Sequence, residues 1–266
     1  MPLQQLENQL KQAGARREKR LWFYDRIIPT SFEEAYIALR KKEGRFYSDA
    51  QLYALPLVSE NHPLTQEWTI RAQSLERMQR YLSDLKSPPR LLDIGCGNGW
   101  MTRHLHPYSQ LTVGLDMNSE ELLQAARVFH EYGDKLLWLY GSIFDNVLPE
   151  KCFDIILLGS SIQYFPNVTT LLNRLQYFLA EGGEVHIIDS PFYAREGIEA
   201  AKTRSNSYYQ SAGFPALSSH FFHHAYEELA AFKPKTLYDP RSFRIRLGQK
   251  LKGTPKSPFP WLCIKR

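Results

Sequence analysis

Between Arg90 and Asp189 the chain alternates short apolar runs with amphipathic stretches, and this alternation restricts the fold more than any other feature. The apolar runs are RLLDIG, LTVGLD, KLLWLYG, CFDIILLG and EVHIID. Among the segments separating them are NGWMTRHLH, SEELLQAARVFHEY and VTTLLNRLQYFLA, which read as helices. Strands covered on both faces read as continuous apolar runs, and strands separated by helices pair in parallel through crossovers. Two further strand-like runs, RSFRIRL and WLCIKR, lie near the C-terminus and read as a hairpin. The expected architecture is α/β: a doubly wound, mostly parallel seven-stranded sheet with helices on both faces. Ligands of such sheets bind beyond the carboxyl ends of the strands.

The punctuation divides the chain further. Residues 1–63 read as a helical or irregular extension that includes FEEAYIALRKK, ended by Gly44. The main domain spans 64–266. Its core, 64–190, begins with LTQEWTIRAQSLERMQRYLSDL, where Leu75, Met78, Leu82 and Leu85 form one apolar face before Ser87-Pro88-Pro89 stops the helix. Asn118 or Ser119 is the expected N-cap of the second helix, and Gly182-Gly183 closes the third. Residues 191–232 read as an aromatic helical insert, and 233–266 as the C-terminal hairpin.

Bulk properties exclude several classes. Hydrophobic residues make up 43% of the 266 and charged residues 23%, as in ordinary globular chains. No apolar run approaches the roughly 20 residues that span a bilayer, and the polar start lacks a signal-peptide core, so the expected location is cytoplasmic. Three dispersed cysteines imply neither a disulfide framework nor a cysteine zinc site, and no metal is expected. A net charge of +5 reads as solvated basic surface, since no base-stacking motif accompanies it.

The chemistry centres on Asp93-Ile-Gly95-Cys-Gly97-Asn-Gly99, at a strand-to-helix turn. Glycines there let the backbone turn sharply and let a ligand approach the main chain; a side chain at Gly97 is expected to enter the ligand's space. A dinucleotide turn, G-x-G-x-x-G, would place its third glycine where Trp100 stands, and Asp93 would repel a pyrophosphate. An acid in this place suits a cationic group instead.

With these motifs in this order, the segment from about Arg90 to Asp189 resembles the class I (Rossmann-like) S-adenosylmethionine-dependent methyltransferases. The resemblance implies that Asp93 and the Gly95–Gly97 turn hold the methionine end of S-adenosylmethionine. It implies that Asp116, ending the second strand, accepts hydrogen bonds from both ribose hydroxyls, with Met117 packed on the adenine. Ser142 and Ile143 fall where the family binds the adenine edge; Ser142 replaces the usual acid there, and Asp145 is its possible substitute. Ser160, after the fourth strand, falls near the methionine moiety.

A proton-bearing acceptor calls for a nearby base. Tyr164 follows the fourth strand, and His220, His223 and His224 would share one face if the insert is helical; His223, His224 and Tyr164 are the candidate catalytic residues. Trp68 and Arg71 are candidate covers of the cofactor carboxylate. The expected function is methyl transfer to a small-molecule acceptor, aromatic or amphipathic, through an oxygen or nitrogen nucleophile. A non-catalytic cofactor-binding scaffold and a nucleic-acid methyltransferase remain the alternatives, although the Asn-Pro-Pro-aromatic or Asp-Pro-Pro-aromatic run of base amino-methylases is missing.

Overall fold

The computed structural model describes residues 3–18, 20–24, 30–132, 135–243, 245 and 255–266. The N-terminal part contains α1 (Leu3–Gln12), β1 (Arg16–Glu18), β2 (Leu21–Phe23), α2 (Ser31–Lys42), α3 (Asp49–Ala54) and α4 (Thr65–Ser83). The core follows as β3 (Arg90–Ile94), α5 (Trp100–Leu105), β4 (Leu111–Asp116), α6 (Ser119–Val128), β5 (Leu136–Tyr140), β6 (Phe153–Gly159), α7 (Val168–Phe178) and β7 (Leu179–Ile188). Beyond it come β8 (Phe192–Tyr193), α8 (Ile198–Ala212), β9 (His224–Ala225), β10 (Lys235–Tyr238) and β11 (Trp261–Lys265).

One sheet runs through the molecule in the order β1-β2-β5-β4-β3-β6-β7-β11-β10. Strands β2 to β7 are parallel along it, and the order reverses about β3, which pairs with β4 on one side and β6 on the other. This is the switch point at which doubly wound sheets open a crevice. The central strands are apolar on both faces, as the continuous runs predict; Leu91, Leu92, Val113, Ile156, Leu157 and Leu158 are buried. Two large cores result, one on each side of the sheet.

Nine strands replace the expected seven because the N-terminal extension adds two. Leu21–Phe23 pairs in parallel with Trp138–Tyr140, so the extension is stitched into the sheet edge. The C-terminal hairpin begins earlier than expected: Lys235–Tyr238 pairs with β11. Most of RSFRIRL that lies beyond Phe243 falls outside the described residues. Asn118 caps α6 by accepting from Glu121 N, at 2.9 Å. The third core helix stops at Phe178, and Gly182-Gly183 lies inside β7, where Leu179 already pairs with Phe153. No helix among the described residues is long and apolar enough to cross a membrane.

Candidate functional site

The turn after β3 is held by main-chain geometry. Gly95, Gly97 and Gly99 have φ of +69°, +54° and +72°, the left-handed region that a Cβ disfavours. Packing also excludes a side chain at two of them. A Cβ on Gly95 would stand 2.5 Å from the Ser161 Cβ, and one on Gly99 would stand 2.2 Å from the Trp138 ring. At Gly97 it would face the Glu121 carboxylate at 3.3 Å. Main-chain N–H groups of Gly95 and Cys96 donate to the Leu115 carbonyl, pinning the turn to β4.

Asp93 is buried, and Thr102 Oγ1 donates to it at 2.6 Å, tying β3 to α5. Burial pushes its carboxyl up to about 7, the Asp116 charge adding and the Thr102 bond opposing. Asp116 accepts from Gly97 N through one oxygen and from Asn118 N through the other, both at 2.7 Å. Its pKa is raised by burial, with the main-chain N–H bonds pulling the other way. Beside it Met117 is 56% exposed, a side chain open to a flat ring. On the neighbouring strand end, Ser142 N donates to Asp145 at 2.7 Å, Ile143 is buried, and Phe144 is exposed. Asp145 thus closes its own turn.

A cavity of about 730 Å³ opens beyond the ends of β6 and β7. Its walls come from α2 (Tyr36, Arg40), α4 (Glu67, Arg71), the β6 loop (Ser160, Gln163, Tyr164), α8 (Arg204, Tyr208, Tyr209), and from Asp189, Phe221 and Phe259. Ion pairs chain along one wall: Arg40 to Glu43, Glu43 to Arg45, Arg45 to Glu67 and Glu67 to Arg71. Opposing hydrogen bonds outweigh burial at Glu67, whose carboxyl falls to about 2. Ser160 takes a φ of +57° and donates through Oγ to the Asp189 carbonyl at 3.0 Å. Its neighbour Ser161 donates to the Ile94 carbonyl, so the glycine turn and the cavity share a wall.

Tyr164 stands on that wall, its hydroxyl accepting from Arg40 at 3.4 Å, its ring edge-on to Tyr36 and Phe221. The histidines are dispersed. The expected helix is instead a 3₁₀ turn, Pro215–His220, followed by extended chain into β9. Successive residues of an extended chain point to opposite sides, so His223 and His224 part company. His223 shares a hydrogen with Ser205 Oγ at 2.9 Å and packs on Tyr193 and Phe221, and burial lowers its pKa. His224 is buried, with Nε2 3.3 Å from the Ile162 carbonyl. His220 is exposed against Phe32. None of the three is among the residues lining the cavity. Trp68 is buried, donating to the Tyr47 hydroxyl at 2.8 Å, while Arg71 reaches the cavity paired with Glu67. Tyr36, Arg40 and Glu121 are additional polar groups at the site; the four-residue step from Phe32 through Tyr36 to Arg40 is the signal that puts the first two on one helix face.

Residues 92–187 match the model of a methyltransferase domain family, a segment that runs from β3 through the glycine turn to β7. This segment is a methyltransferase domain. The chain is 28% identical over 153 residues to a malonyl-[acyl-carrier protein] O-methyltransferase of Halalkalibacterium halodurans, covering 56% of this chain and 54% of that protein. It is 25% identical over 97 residues to a ubiquinone biosynthesis O-methyltransferase of Vibrio vulnificus, covering 36% and 41%. The match thus spans about half or less of each relative. A geranyl diphosphate C-methyltransferase from Streptomyces coelicolor A3(2), solved with Mg2+, geranyl diphosphate and S-adenosyl-L-homocysteine, shares the fold at a TM-score of 0.55 and 14% identity, over 89% of this chain and 97% of that one.

Proposed function

We propose that this chain binds S-adenosylmethionine along the glycine turn and transfers its methyl to an O–H or N–H group of a small acceptor in the adjoining cavity. The observation that carries the reading is the shared wall at Ser160-Ser161, which sets a 730 Å³ chamber against the turn. The residues present suit the cofactor. Gly95 and Gly97 form a positive-φ turn beside the cavity wall, Asp116 and Glu121 supply carboxylates, and Met117 and Phe144, exposed on loops after adjacent strands, supply faces for the adenine. The cofactor supplies an activated methyl on a sulfonium.

The protein's part is alignment, which contributes several kcal/mol and about 7–11 in the best cases. The aromatic walls suit an aromatic or amphipathic acceptor. Four arginines against Glu43, Glu67 and Asp189 favour a polar or acidic end on it, and Arg204 has no ion-pair partner among the described residues. Tyr164 is the candidate to hold the nucleophile; His223 stands behind it as a positioning residue, through Phe221. Calorimetry with S-adenosylhomocysteine tests the cofactor, and release of S-adenosylhomocysteine from S-adenosylmethionine over a panel of aromatic acids, phenols and amines tests the acceptor. Absence of S-adenosylhomocysteine binding at millimolar concentration would refute the reading.

A further inference from the structure

Ser160 and Asp189 follow directly on the ends of the adjacent parallel strands β6 and β7, and both hold φ in the left-handed region, at +57° and +50°. Neither is glycine, and backbone strain of this kind collects at functional sites. The two are joined, since Ser160 Oγ donates to the Asp189 carbonyl at 3.0 Å. Gln163 Nε2 in turn donates to the Ser160 carbonyl at 2.6 Å. All three residues line the 730 Å³ cavity.

Their side chains leave acceptors unused. The Ser74 hydroxyl at 2.7 Å and the Ser257 hydroxyl at 3.1 Å both donate to Oδ1 of Asp189. Its Oδ2 is buried with no hydrogen-bond partner among the described residues. Gln163 repeats the pattern: Nε2 is bonded, and Oε1 is buried without a partner among the described residues. Four buried side-chain oxygens are left in this way among the described residues, and the two that belong to cavity-lining residues are these. An acceptor buried without a donor is costly, and native structures keep few of them without a use.

Two acceptors tied to one serine call for a group that donates twice. A hydroxyl carries one hydrogen, whereas a primary amine carries two and keeps its lone pair free to attack. The groups facing Asp189 are the Arg71 and Arg77 guanidiniums and the Ser74 hydroxyl from α4, the Ser257 hydroxyl, and the Tyr238 phenol of β10. Nearby cations oppose protonation of an amine, so the two arginines favour its neutral, nucleophilic form. Burial raises the Asp189 carboxyl above the usual carboxylate range, against the pull of Ser74, Arg71, Ser257 and Arg77. A raised carboxyl is the better proton acceptor.

We propose that Asp189 and Gln163 receive the two hydrogens of a primary amine, so that the cavity selects an amine as methyl acceptor and Asp189 takes up its proton. The proposal rests on the cofactor reading above. As the nitrogen lone pair forms the new N–C bond, the S–C electron pair stays on sulfur and the positive charge passes to nitrogen. One N–H proton then moves to Asp189, leaving a neutral secondary amine and a carboxylic acid that returns the proton to solvent.

The test is calorimetry on the full chain saturated with S-adenosylhomocysteine, using benzylamine and benzyl alcohol as a matched pair at about pH 9, where part of the amine is unprotonated. The wild type should bind benzylamine at least about tenfold more tightly than the alcohol. Asp189→Asn keeps the shape and should erase that preference, as should Gln163→Met, with S-adenosylhomocysteine affinity unchanged in both. Equal affinity of the wild type for the two probes would overturn the proposal, as would equal weakening of both probes in the variants, which marks a structural role. No benzylamine binding at tens of millimolar would overturn it too. Failure of the wild type to bind S-adenosylhomocysteine would instead overturn the cofactor reading. A crystal structure of the wild-type chain with S-adenosylhomocysteine and benzylamine decides the point without a variant. An amine nitrogen within about 3.2 Å of both an Asp189 carboxylate oxygen and Gln163 Oε1 supports the assignment, and a nitrogen out of hydrogen-bond range of Asp189 overturns it.

Discussion

Replacing Gly99 by alanine isolates how the turn is built. Two penalties add at that position. The φ of +72° is left-handed, which costs a residue bearing a Cβ about 1–2 kcal/mol. The new methyl would also stand 2.2 Å from the Trp138 ring and 3.1 Å from the Ala125 Cβ, and forced repacking of a filled core costs about 1–3 kcal/mol. The expected loss is about 2–5 kcal/mol, a large share of the roughly 5–15 kcal/mol that holds a native protein together. Gly44 supplies the internal control: its φ is +67° and nothing lies within 4 Å of its Cβ position. Gly44→Ala should therefore cost the conformational part alone, about 1–2 kcal/mol. Urea unfolding followed by tryptophan fluorescence measures both variants. Equal losses at the two glycines would refute the claim that Trp138 packing sets the turn.

Further outcomes follow from the site. Tyr164→Phe should lower turnover on an identified acceptor with S-adenosylhomocysteine affinity unchanged, whereas His224→Ala should cost about 1–3 kcal/mol of folding stability by leaving buried groups unpaired, read by urea melts. Asp93 and Glu121 both titrate near 7 in the fold, above their unfolded values of 3.8 and 4.5. Between those limits the folded chain holds more protons than the unfolded one, so their contribution to stability is complete below about pH 4 and is lost as pH rises to about 7. Thermal melts of the ligand-free chain from pH 5 to 8 should show that downward trend, reduced in Asp93→Asn.

Where local pattern and burial agreed, the sequence was a sufficient guide. The five core strands, the Asn118 cap, the glycine turn and the existence of a terminal hairpin all rest on residues that are neighbours in the chain. What escaped reading depends on partners far away. Leu21-Trp22-Phe23 is too short to show a period, and it becomes a strand only because Trp138–Tyr140 offers an open edge. HFFHHAYEELAAF looks helical, but Pro215 opens a tight 3₁₀ turn and pairing with Phe192-Tyr193 extends the chain at His224. Glu121 reads as one of two ordinary acids in a helix's first turn. Only the closure of α2 over it, with Arg40 and Tyr36, removes it from water and changes its chemistry.

The hairpin β1–β2 also bears on how copies of this chain behave toward one another. Without it, Leu136-Leu-Trp-Leu-Tyr140 would be the outermost strand on that side, an uncharged apolar ribbon with free main-chain groups, the composition that seeds cross-β stacking. As it stands, the sheet ends on Arg16-Arg17-Glu18, three residues long and wholly exposed, and on the opposite side on the four-residue β10, led by Lys235. Each border is too short and too charged to template a neighbour. Removing the first 24 residues should therefore be felt first as turbidity and growing particle size in light scattering.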